Sequence, residues 1–106
     1  MSIFNLFSRK NINDGVEQYR KEDNAVLLDV RTEEEFSEGH IEGSLNLPIG
    51  EIDRVATLIP DKSVPIYVYC RSGNRSARAA AYLKGNGYAS VYDIGGILSY
   101  KGKIVK

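Results

Sequence analysis

Three features of the 106-residue sequence predict an α/β fold built on a mainly parallel sheet. Apolar runs alternate with amphipathic stretches, the order that layered α/β folds show. One run, Ala25 to Val30 (A-V-L-L-D-V), is continuous rather than alternating, as a strand covered on both faces is. A second, Ile66 to Tyr69, is β-branched and aromatic and reads as a central strand. At roughly 100–200 residues per domain, the length accommodates one domain.

In chain order, Asn13 is placed to cap a first helix through about Lys21, with Val16 and Tyr19 on one side. After the Ala25–Val30 strand, Thr32 and Glu35 form a T-x-x-E capping box that opens a short helix ending near Gly39. Glu33 to Glu35 make its first turn acidic, which suits the positive end of the helix dipole. Ser44 to Leu47 is a short strand closed by Pro48. Glu51 to Ile59 reads as a helix stopped by Pro60, with Ile52, Val55 and Ile59 on one face. Following the Ile66–Tyr69 strand, Ser76 to Asn86 is rich in alanine and strongly helix-forming, its end marked by Gly85 and Gly87. Val91 to Ile94 is the last clear strand, and Gly95-Gly96 is expected to turn the chain away from it.

Composition narrows the function classes. Hydrophobic residues make up 42% of the chain, an ordinary globular value, so disorder, collagen-like repeats and coiled coil are disfavoured. Cys70 is the only cysteine and His40 the only histidine, too few for a structural zinc site, and no intramolecular disulfide can form. Met1 to Lys10 lacks the basic start, apolar run and cleavage site of a secretory signal. No stretch approaches the ~18 apolar residues of a membrane span. A reduced, cytoplasmic setting is therefore expected. Net charge is zero, but residues 1–69 hold seven Lys/Arg against 13 Asp/Glu, whereas residues 70–106 hold seven against Asp93 alone. That asymmetry either draws anions towards Cys70 or is interleaved by folding. The basic residues form no dense cluster of the kind that binds nucleic acid.

Chemistry concentrates in P-I-Y-V-Y-C-R-S-G-N-R-S-A-R-A-A-A-Y-L, Pro65 to Leu83: a strand, a polar loop that begins at a cysteine, and a helix. Ligands of open parallel sheets bind outside the carboxyl ends of strands, where this order puts Cys70. Loop amides, with Gly73 free to adopt an unusual backbone angle, can point inward and join the helix N-terminus as an anion site. Arg71 and Arg75 add positive charge. Together these should lower the thiol from its usual ~8.5 into the ~3.5–7.5 range of activated cysteines. The alternative is a small buried hydrophobe at a strand end, which the adjacent polar loop argues against.

L-L-D-V-R-T-E-E-E-F-S-E-G-H-I-E-G-S-L-N-L-P (Leu27 to Pro48), Y-C-R-S-G-N-R-S-A-R-A-A (Tyr69 to Ala80) and G-Y-A-S-V-Y-D-I-G-G (Gly87 to Gly96) together resemble the rhodanese-like family in order and spacing. The likeness runs from about Asn13 to Tyr100. It implies a single-domain sulfurtransferase with a central parallel β-sheet flanked by helices on both faces. Cys70 matches the family's nucleophile, which carries a transferable sulfur as a persulfide. Arg71, Ser72, Gly73, Asn74, Arg75 and Ser76 match its anion-cradling, substrate-binding loop. Cdc25-type phosphatases and related arsenate reductases share the shape but place five residues between Cys and Arg. Here four separate Cys70 from Arg75, a tighter cradle better matched to a sulfur anion than to a tetrahedral phosphate.

Chemistry favours the same choice. The outer sulfur of thiosulfate is open to attack by a thiolate, and departing sulfite needs no proton. Phosphate ester cleavage benefits from an acid at the leaving oxygen, and no carboxylate follows Cys70 until Asp93. The expected donor is a small anion, thiosulfate or a persulfide, and the acceptor cyanide or a thiol, including that of a protein, with no metal, cofactor, membrane or nucleic acid involved. A third reading is a sulfur-relay or regulatory module with little small-molecule turnover. Asp29 and Arg31, charged at the end of a buried strand, are expected to pair and brace the Cys70 loop. His40 reads as a hydrogen-bonded turn residue. Tyr100 stands where the family often has tryptophan.

Overall fold

In the computed structural model, which describes residues 11–106, the first helix, α1 (Ile12–Lys21), is capped by Asn11, whose side chain accepts from the Asn13 and Asp14 amides. The expectation that Asn13 caps this helix is corrected by two residues and one job. It lies inside the first turn, where its Nδ2 donates to the Ser99 carbonyl at 3.0 Å and its Oδ1 accepts from the Lys101 amide at 2.8 Å. The reading of Met1–Lys10 lies outside the described residues.

The chain continues through β1 (Val26–Asp29), α2 (Glu33–Glu38), β2 (His40–Ile41) and β3 (Leu45–Asn46). Both halves of the Thr32–Glu35 capping box are formed. Residues 51–59 are not one helix. Ile49–Arg54 is a 3₁₀ segment kinked at Glu51, followed by one α-helical turn, α3 (Val55–Leu58). The spacing explains it: Ile49, Ile52 and Val55 recur every three residues, the period of a 3₁₀ helix, and only Val55 to Ile59 steps by four. All four pack on the same side of the sheet.

β4 (Ile66–Cys70), α4 (Asn74–Gly85) and β5 (Val91–Gly96) follow, then a 3₁₀ turn (Ile97–Ser99) and β6 (Ile104–Val105). The main sheet has order β3-β1-β4-β5 and is parallel throughout, while β2 and β6 form a separate antiparallel pair. Gly95-Gly96 does not leave the sheet as expected. Val68 pairs with Asp93 and Tyr69 with Gly95, so Ile94 is the extra residue of a bulge, and both glycines stay paired with β4.

Strand alternation divides the core between the two faces. Ile66, Val68 and Cys70 point with Leu28 and Val30 towards α3 and α4, where Val55, Ile59, Ala79, Ala80 and Leu83 bury. Tyr67 and Tyr69 point the other way with Leu27, against Ile12 and Val16 of α1, Ile41 and Ile94. Helices thus cover both faces, as expected. Among the described residues no helix is long and apolar enough to cross a membrane.

Candidate active site

Cys70 ends β4 at the carboxyl edge of the parallel sheet, 1% exposed. The chain bends through Arg71 to Gly73 and enters α4. Gly73 is the cap, with φ of +111°, an angle at which a side chain would be strained. Its amide donates to the Cys70 sulfur at 3.0 Å. Ser76, fully buried on the first turn of α4, sets its Oγ 3.6 Å from the same sulfur. Burial pushes the Cys70 thiol up, but the Ser76 hydroxyl and the amides of Ser76, Gly73 and Arg75 outweigh it, and the thiol lies below its ordinary value.

β5 passes close beside this loop. A Cβ on Gly96 would lie 2.3 Å from the Arg71 carbonyl oxygen, so only glycine fits there. The same oxygen accepts from the Leu98 amide at 3.2 Å.

The arginines are arranged differently from the sequence expectation. Arg75 forks onto Glu35, Nη1 to Oε1 at 2.7 Å and Nη2 to Oε2 at 3.0 Å. Its charge is answered first by that carboxylate, and Cys70 is a smaller influence on it. Activation of the thiol therefore comes from amides and a hydroxyl, with no arginine side chain among its main causes. Folding has interleaved the two unequal halves of the sequence at this pair. Arg71, Ser72 and Asn74 are exposed on the loop.

Asp29, fully buried, accepts from Arg31 Nη2 at 2.7 Å, from Nε at 3.1 Å and from the Arg31 amide at 2.9 Å. Arg31 also donates to the Gly39 carbonyl at 2.8 Å. The two thus tie the end of β1 to the turn after α2. Their link to the Cys70 loop is indirect, through Tyr69, whose ring lies 5.8 Å from the guanidinium carbon. Desolvation pulls Arg31 down, but Asp29 more than restores it. His40 is hydrogen-bonded as expected, its Nδ1 2.8 Å from the Phe36 carbonyl and its ring stacked on Phe36, but it begins β2 rather than sitting in a turn. Tyr100 packs against the α1 side of the core.

Two residues at the site were not singled out for it. Glu35 was legible as a cap, but not as the partner of Arg75. In the sequence Asp93 is only the next carboxylate after Cys70, yet the Ser76 hydroxyl lies 2.7 Å from its Oδ1. No local signal marks that contact, because it depends on how β5 registers against β4. Among the described residues, no cluster of three or more His, Cys, Asp or Glu could hold a metal ion.

Comparison with known proteins agrees with this geometry. Thiosulfate sulfurtransferase PspE of Escherichia coli is 38% identical over 71 residues, covering 66% of this chain and 68% of that protein. Thiosulfate sulfurtransferase GlpE of Pseudomonas putida is 40% identical over 81 residues, 74% of this chain and 71% of its own length. The solved structure of a rhodanese with anions from E. coli superposes with a TM-score of 0.72 at 35% identity, covering 77% of this chain and 98% of that one. The model of the rhodanese-like domain matches residues 13–103, from the first turn of α1 to the approach of β6. A match of that extent, over a parallel sheet with a cysteine at its carboxyl edge, makes this chain a member of the rhodanese-like domain family.

Proposed function

We propose that this chain is a sulfurtransferase of the thiosulfate type and that Cys70 carries the sulfur in transit. One observation supports the reading above the others: the Cys70 sulfur lies 3.0 Å from the amide of Gly73, the cap of α4, three residues further along the chain. A sulfur so placed is favoured as an anion. PspE and GlpE, thiosulfate sulfurtransferases by name, lend the substrate class.

The cycle has two displacements. The Cys70 thiolate attacks the outer sulfur of thiosulfate, a new S–S bond forms, and the old one breaks with its electron pair leaving on sulfite. Cyanide or a thiolate then attacks the outer sulfur of the Cys70 persulfide and departs with it, as thiocyanate or a new persulfide, and the Cys70 thiolate returns. Each stage keeps negative charge at the same place, so preorganised amides serve both. The cycle as written calls for neither metal nor organic cofactor. Arg71, Ser72 and Asn74, exposed on the loop, would meet the donor.

A second reading has one observation in its favour. Glu35 occupies Arg75, which leaves less free charge for a dianion, and this suits a relay module that receives sulfur from a protein persulfide. Turnover separates the two, because a relay module would carry persulfide yet process thiosulfate and cyanide poorly.

The test is intact mass after incubation with thiosulfate, with and without reductant, on the native chain and on Cys70→Ser. A reducible gain of ~32 Da on the native chain alone is the expected result. An adduct that survives in Cys70→Ser, or none on either chain with thiosulfate or a persulfide donor, refutes the mechanism.

A further inference from the structure

The Ser76 hydroxyl has one hydrogen and three neighbours. Its Oγ lies 2.7 Å from Asp93 Oδ1, 3.0 Å from the Gly73 carbonyl and 3.6 Å from Cys70 Sγ. A hydroxyl cannot donate to all three at once. The carboxylate contact is the shortest and is charge-assisted, so it takes the hydrogen ahead of the neutral carbonyl. The hydroxyl oxygen then presents only lone pairs to the sulfur. In that state it can accept from a thiol S–H, and the support that the hydroxyl lends the thiolate is gained only when its hydrogen turns to the sulfur.

Asp93 is held in place to do this. Its Oδ1 also accepts from the Gly95 amide at 3.1 Å, a contact created by the bulge that inserts Ile94 between two paired residues. Register puts Asp93 beside Val68, on the sheet face that carries Cys70 and packs on α4. Lys21 of α1 and Glu22 just after it, Lys84 of α4, Tyr67 of β4 and Tyr92 of β5 line the groove that Asp93 borders. On the Cys70 side stand Arg71 and the Arg75–Glu35 pair.

We propose that Asp93 is a positioning residue for Cys70: it draws the Ser76 hydrogen away from the sulfur, so that sulfur capture requires that hydrogen to turn from the carboxylate to the thiolate. The inference rests on Cys70 being the reacting group and adds the device that restrains it. With Asp93 gone, a thiolate outcompetes the neutral Gly73 carbonyl for the hydrogen. The same restraint lessens the thiolate character on which oxidation depends.

The test is the pH dependence of Cys70 alkylation by iodoacetamide in the native chain, Asp93→Ala, Asp93→Asn, Ser76→Ala and the Ser76→Ala/Asp93→Ala double variant. In that reaction the thiol proton goes to solvent, the sulfur bonds to carbon and iodide leaves. The midpoint should fall by about half a unit to one unit in Asp93→Ala, the scale of one gained hydrogen bond. Asp93→Asn, which keeps a neutral acceptor, should shift less in the same direction and provides a folded variant if the alanine is unstable. In the Ser76→Ala background, removal of Asp93 should leave the midpoint unchanged. Equal shifts in both backgrounds would mean that Asp93 acts only through space. No shift, or a rise, in both Asp93 variants would mean that the hydrogen already faces the sulfur. Either overturns the proposal. Alkylation needs no sulfur donor, so a failed mass test beside the expected alkylation cycle would sink the sulfurtransferase reading and leave this one standing.

Discussion

Glu35 does two things with one carboxylate. It completes the cap of α2, accepting from the Thr32 amide at 2.9 Å, and it receives both prongs of Arg75 from across the site. Arg75 lowers the Glu35 carboxyl most, burial opposes, Thr32 assists, and the result is a value of about 2. Since the folded value lies below the ordinary one, the stability this group supplies is complete above about pH 4.5 and is lost as pH falls towards 2. Glu35→Gln should therefore lose about 1 kcal/mol near neutral pH and show a flatter decline across that acid window, read from urea melts at stepped pH. The two roles differed in legibility. T-x-x-E is a local pattern and could be read directly, whereas the fork to Arg75 joins residues 40 apart. Cys70 and Gly73 were legible for the local reason as well, three residues apart at a strand-to-helix turn, and Asp93 was hidden for the distant one.

Among the elements, spacing decided what could be read. α4 was plain because Ser76, Ala79, Ala80 and Leu83 follow the helical period and bury as one stripe. The sequence places the α1 cap two residues late, since Asn11 and Asn13 both suit the position and only tertiary contacts divide the labour. Asn13 is drawn off to Ser99 and Lys101, which leaves Asn11 to cap. The two asparagines should thus fail differently. Asn11→Ala should cost about 1 kcal/mol in urea unfolding, the usual loss of a cap. Asn13→Ala should expose the Lys101 amide to hydrogen exchange while the α1 amides keep their protection. Equal loss in both would contradict this division.

For the molecule as a whole, strand order was the part that no local pattern carries. β1 lies between β3 and β4 although it is first in sequence, and Tyr69 fastens the second sheet to the first. Its hydroxyl accepts from the Ile41 amide at 3.1 Å and meets Ser44 Oγ at 3.0 Å. That second sheet leaves no pattern in the sequence, because β2 and β6 have two residues each, too few to show alternation. Their brevity bears on the order of events in folding. β1, β4 and β5 gain from many buried side chains, but the β2–β6 pair must close a span of more than 60 residues for two residue pairs, Ile41 with Ile104 and His40 with Val105. Loop-closure entropy places so poorly rewarded a contact after the main barrier. Ile104→Gly, at a cost of about 1 kcal/mol, should speed unfolding about fivefold in stopped-flow experiments and leave the refolding rate unchanged. The strand pair would then act as a latch on the finished molecule, setting how long it stays folded while contributing nothing to how fast it gets there.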